Sequence, residues 1–136
     1  MRRILSNWFV ACGVLSTLVG VLLSPANLEA QAEALPDSIT PEMVAEGATL
    51  FQGAGICAAC HGPDGTGLTG PDLTDDEWLH SDGSYESIVE RILAGVPADS
   101  SKSGIPMLPK GGSQLTDAQV RLVAAYVWSL RLEEAP

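Results

Sequence analysis

At 136 residues the chain has room for one domain, and its formal net charge of −10 leaves it without the basic footprint that nucleic-acid binding needs. The same charge suits basic protein partners, or simply keeps copies of the chain apart in solution.

Arg2 and Arg3 precede an apolar run from Ile4 to Leu23, which Ser24-Pro25-Ala26-Asn27 breaks. A positive start, an apolar middle and a small-residue exit are the order of a secretory signal peptide, and Ala30-Gln31-Ala32 supplies small residues for cleavage. Residues 1–32 are therefore expected to be removed on export to the periplasm. The run is also close to the ~20 residues that cross a bilayer, so an uncleaved anchor holding the domain on the periplasmic side is the alternative. Cys12 lies within the run and reads as part of the signal segment rather than as a lipid-attachment site. Cleavage removes two arginines and one glutamate, making the remainder one unit more acidic. It also leaves Cys57 and Cys60 as a pair in a chain bound for an oxidising compartment.

Residues 33–39 carry no periodicity and are expected to form a flexible leader. Thr40-Pro41-Glu42 offers a capping hydroxyl, a proline where a missing N–H costs nothing, and an acid at the positive end of a helix dipole. A helix is predicted from Pro41, with Val44, Gly47, Ala48 and Phe51 on one face and Gly53 and Gly55 ending it before Cys57. Glycines and prolines make 62–74 a loop, and Thr74-Asp75-Asp76-Glu77 has capping-box spacing for a short helical turn before Trp78 and Leu79.

Ser84 opens the next predicted helix, with Tyr85, Ile88, Val89, Ile92 and Leu93 in one stripe and Glu86, Glu90 and Arg91 on the other side. Gly95 and Pro97 end it. Residues 96–114 form a loop too long to be an idle connection in so small a domain. Thr116-Asp117-Ala118-Gln119 is a second capping box, launching a helix to about Leu132 with Val120, Val123, Ala124 and Val127 on one face; residues 133–136 are left as a tail. No run alternates with period two, so 40–132 is expected to be an all-α domain with long loops. A domain of ~100 residues is marginal on its own apolar burial, and a large buried cofactor would relieve that.

Cys57-Ala58-Ala59-Cys60-His61 carries the strongest chemical signal. Two thiols at this spacing can form thioethers to the vinyl groups of a haem while the adjacent imidazole reaches the iron. A Cys-x-x-Cys redox disulfide and half of a zinc site are the competing readings. The first lacks a βαβ pattern around it, and the second lacks another ligand pair.

With Gly47 and Phe51 in the first helix, the 57–61 motif, Gly70-Pro71-Asp72-Leu73, a methionine in a late loop and Tyr126 in the last helix, residues 40–132 resemble the class I cytochromes c. A shorter likeness, through Gly70 to Asp76, Trp78-Leu79 and Gly95-Val96-Pro97, is to the haem domains of cbb3-type oxidases. The resemblance implies three to five short helices and long loops around one covalently bound haem c. It implies iron ligation by His61 and by Met107, whose thioether suits a low-spin iron. Of the other candidates for the sixth position, Met43 sits in the first turn of the helix leading to Cys57, and His80 reads as an exposed histidine in an acidic loop. Pro71 is implied to accept the Nδ1 proton of His61. Trp78 either donates its indole N–H to a haem propionate or simply packs. Ile88, Leu93, Ile105, Leu108 and Val123 are candidate pocket walls, and Gly47 is expected to let the last helix cross the first, with Phe51 and Tyr126 at the contact.

The function implied is one-electron transfer in a respiratory or photosynthetic chain, between redox-protein donor and acceptor partners. The domain itself is then no enzyme. Membrane contact would come only through a retained N-terminal segment or a membrane complex. The alternatives are a haem subunit of a larger oxidase or dehydrogenase, and a haem enzyme or sensor with an open sixth position.

Overall fold

A computed structural model describes residues 38–133. The expectations for the signal segment 1–32, for residues 33–37 of the leader and for 134–136 fall outside the described residues. Within them lie four α-helices, α1 (Pro41–Gln52), α2 (Ala58–His61), α3 (Tyr85–Ala94) and α4 (Asp117–Glu133), with a 3-10 turn at Pro109–Gly112. The described backbone pairs as β structure only at an isolated bridge between Val96 and Met107. None of the described helices is long and apolar enough to cross a membrane.

The helix starts follow from local chemistry. Thr40 Oγ1 accepts the Met43 N–H at 3.3 Å, and Ser84 Oγ accepts the Ser87 N–H at 3.3 Å. At α4 the capping box is reciprocal: Gln119 N–H donates to Thr116 Oγ1 at 3.2 Å while Thr116 N–H donates to Gln119 Oε1 at 3.0 Å. Ile39, assigned to the leader from the sequence, is buried in the core. It stands one residue before the Thr40 cap with Val44 four positions into the helix, the two positions of a hydrophobic staple.

The capping-box spacing at 74–77 does not make a helical turn. Asp72 intercepts it: one carboxylate oxygen accepts both the Thr74 N–H at 2.8 Å and the Thr74 hydroxyl at 2.7 Å. Asp75 likewise takes the Glu77 N–H at 2.9 Å. These local bonds offer the backbone an alternative to helix, and 74–80 runs as irregular chain that presents Trp78 and Leu79.

The Thr74 bonds, backbone N–H first and hydroxyl second, hold the Asp72 carboxyl below its ordinary value. A depressed folded-state value means that the stabilisation is complete above the ordinary aspartate range, ~3.9, and is lost as pH falls through the lower folded value. Asp72→Ala is expected to cost about 1 kcal/mol at neutral pH. In thermal melts at a series of pH values, the gap to wild type should narrow only in strong acid.

α1 and α4 pack across each other at Gly47. A Cβ at that position would lie 2.9 Å from Tyr126 Cβ and closer still to the Leu122 carbonyl, so only hydrogen fits. Phe51 and Tyr126 meet beside this crossing edge to face, 5.2 Å between centroids at 66°. Val120, Val123, Ala124, Ala125, Val127, Trp128 and Leu130 of α4 are all buried, a wider face than the four-residue stripe expected. α3 buries Tyr85, Ile88, Val89 and Ile92 against α4, and the Tyr85 hydroxyl donates to the Arg121 carbonyl at 3.1 Å.

Candidate functional site

The stop at Gly53 to Gly55 leaves room for one turn of chain before α2. Ile56 fills it with φ +59°, a left-handed conformation that is an outlier for a β-branched residue. Cys57 follows as the residue capping α2, so the cysteine-histidine motif forms a one-turn helix of its own rather than the end of α1. The loop after it folds back onto that turn. The Cys60 carbonyl accepts from the N–H groups of Leu68, Thr69 and Gly70 at 3.1, 3.1 and 2.9 Å, and the His61 carbonyl accepts from Gly67 at 2.7 Å.

This fold-back sets the histidine. His61 Nδ1 lies 2.9 Å from the Pro71 carbonyl, fixing Nδ1 as the protonated nitrogen and leaving Nε2 with the lone pair. Gly70 is needed beside it: a Cβ there would stand 2.9 Å from His61 Cε1 and 3.0 Å from Nδ1. Burial pushes the imidazole below its ordinary value, and the Pro71 bond partly restores it. The neutral ring is therefore favoured, as ligation requires.

Met107 arrives by a different route. α3 ends at Gly95, φ +71°, where a side chain would strike the Met107 carbonyl. Val96 and Met107 then exchange backbone bonds, Val96 N–H to Met107 O at 2.8 Å and Met107 N–H to Val96 O at 2.9 Å. The loop predicted over 96–114 is thus pinned at Met107, with the 3-10 turn following; Lys110 (φ +56°) and Gly111 kink that turn.

These segments enclose a cavity of about 560 Å³, within the roughly 300–1,000 Å³ of cofactor pockets. Cys57, Cys60, His61, Pro71, Trp78 and Met107 all line it. So do Ile88, Ile105, Leu108 and Val123; Leu93 does not, and packs instead against the core. Met43 also packs on the core, away from the cavity lining. Trp78 lies against Gly83, where a Cβ would come 2.5 Å from the indole nitrogen.

Two lining residues were not legible in advance. Arg91, placed on the polar face of α3, reaches the cavity with its guanidinium on the carbonyls of His80 and Gly95. His80, read as exposed, is partly buried there as well.

The donor set fits a c-type haem. Two cysteines, an imidazole with a free Nε2 and a thioether share one cavity, and four large apolar side chains of its wall remain exposed: Ile56 53%, Leu79 37%, Ile105 53% and Leu108 56%. A flat apolar cofactor is what would cover them. A dithiol redox site fits less well. Burial pushes the Cys57 thiol up to about 11, so it stays protonated at neutral pH, whereas thiol exchange needs the thiolate. Nor do the described residues hold a cluster of three or more His, Cys, Asp or Glu side chains able to bind a metal ion.

Comparison with known proteins agrees. The chain is 40% identical over 89 residues to the cbb3-type cytochrome c oxidase subunit CcoP of Cereibacter sphaeroides, covering 63% of this chain and 27% of that protein. It is 40% identical over 90 residues to the corresponding subunit FixP of Sinorhizobium medicae, covering 64% and 30%. The chain therefore spans under a third of the length of these two relatives. Among solved structures, cytochrome CL of the marine methylotroph Methylophaga aminisulfidivorans superposes with a TM-score of 0.53 at 26% identity, over 75% of this chain and 61% of that one. The family model described as Cytochrome c matches residues 44–131, more than half of the chain. On that match, and on the helical fold and the cavity it builds, the chain belongs to the cytochrome c family, a class I c-type cytochrome whose cofactor is a covalently attached haem.

Proposed function

We propose that the chain is a one-electron carrier whose haem is stapled through Cys57 and Cys60, with His61 and Met107 as axial ligands. The observation that carries this reading is the convergence of those four side chains on one cavity. The bound haem supplies an iron that changes charge by one electron without exchanging ligands.

The chain's own residues supply the rest. The Pro71 carbonyl holds the Nδ1 proton and so orients the His61 ring, raising its basicity as outer-shell acceptors do. The bridge to Val96, with Pro106 and Pro109 on either side, restrains the backbone that presents the Met107 sulfur. Ile88, Ile92 and Val123 exclude water from the interior. Trp78 lines the cavity, and its indole N–H would donate to a propionate there.

The relatives favour a more specific setting. Because they are oxidase subunits, a role as the haem module of a membrane oxidase stands beside that of a free periplasmic carrier. The acidic surface suits docking to positively charged patches on donor and acceptor, weakening as salt rises.

The test is spectroscopic. Matured in a host able to attach haem, the protein is expected to gain the mass of one haem and to show a ferric thioether charge-transfer band. Its reduced form should ignore carbon monoxide. A high-spin iron that binds carbon monoxide would instead mark an enzyme or sensor with an open position. Cell fractionation separates the soluble periplasmic form from one held in membranes.

A further inference from the structure

The chain contains two histidines, and both line the cavity. His61 is oriented by Pro71. His80 has no part in the reading above, yet its position is built rather than incidental.

Arg91 holds the backbone of His80 in place. Its Nε donates to the His80 carbonyl at 2.9 Å, and its Nη1 donates to the Gly95 carbonyl at 3.0 Å. Gly95 leads directly into Val96, which is paired through two backbone bonds with Met107. One guanidinium thus ties the segment carrying the imidazole to the segment carrying the thioether. A second, exposed tie joins the same two segments, Lys102 Nζ to Glu77 Oε1 at 3.9 Å. The Met107 segment is nonetheless the looser of the cavity's ligand-bearing parts: residues 102–106 are all exposed, and its regular pairing is a single isolated bridge.

Resting on the reading of His61 and Met107 as axial ligands, we propose that His80 is a reserve ligand for the same iron, taking the sixth position when Met107 withdraws. A neutral imidazole is as able an axial donor as a thioether. The exchange keeps the iron six-coordinate and closed to small molecules. It also lowers the reduction potential, because methionine in that position raises it. The carrier would then accept electrons from its donor less readily, without becoming a reactive open haem.

The test uses the haem-loaded Met107→Ala protein. Its spectrum is expected to lose the thioether band but stay low-spin, with the electron paramagnetic resonance signature of two imidazoles and no carbon monoxide binding when reduced. Met107→Ala/His80→Ala should turn high-spin and bind carbon monoxide. If Met107→Ala does not accumulate, Met107→Leu, closer in volume, is read the same way.

A single Met107 variant that is already high-spin overturns the reserve role, and so does a double variant that stays low-spin, since another group would then be the ligand. A wild type without the thioether band overturns the Met107 assignment itself. The two failures are therefore read from different proteins.

Discussion

Cys57→Ser/Cys60→Ser, expressed in a host that attaches haem, is expected to weigh no more than its bare polypeptide and to lose cooperative unfolding near physiological temperature. Mass spectrometry and a thermal melt followed by circular dichroism read the two effects. The size of the second comes from the cavity. Ile56, Leu79, Ile105 and Leu108 are 37–56% exposed on its wall, and covering them with a porphyrin face recovers about half the burial value of each. At about 1.5–3 kcal/mol for a fully buried apolar side chain, the four together contribute about 3–6 kcal/mol. That is a large part of the roughly 5–15 kcal/mol by which a domain is stable. Either serine alone leaves one thioether, so haem is retained with weaker effect. A double variant that gains the mass of haem would remove both cysteines from the attachment chemistry.

Gly47→Ala is expected to destabilise the haem-loaded protein by about 2 kcal/mol, although alanine is the better helix former. The two effects compete directly. Intrinsic propensity favours alanine by about 1 kcal/mol, whereas overpacking of this kind costs typically 1–3 kcal/mol and sometimes more. Sterics win because the obstacle is backbone: the methyl would meet the Leu122 carbonyl group, with its carbon 2.7 Å away, and a helix cannot yield as a flexible side chain does. α4 would have to move off α1, carrying Tyr126 away from Phe51. A fall in midpoint of roughly 8–16 °C should follow in a thermal melt. An unchanged midpoint would mean that the helices do not approach this closely in solution.

How far the sequence speaks depends on how local the signal is. Thr40, Ser84 and the Thr116–Gln119 box start helices because each cap is completed within three residues, and all three were readable. Thr74 carried the same spacing, but Asp72, two residues before it, captured its hydroxyl and N–H, and nothing in the box pattern itself reports such a competitor. That the cysteines, His61 and Met107 share one cavity was legible because their residue types are rare and chemically specific. His80 and Arg91 were not, since charged and polar residues on a loop or outer helix face ordinarily point to water, and only the enclosing of the cavity reverses that. Ile56 shows the opposite failure: a left-handed position is expected to hold glycine, and the sequence has glycine one residue earlier.

The crossing at Gly47 also has a bearing on timing. The first helix of the domain to leave the ribosome finds its partner only in the last one made. Until Leu122 and Tyr126 emerge, Phe51 lacks the ring that meets it edge to face, and Val123 and Val127 are missing from the pocket. The cysteines are thus synthesised early and the pocket they line is completed late, with Cys60 still exposed when it is.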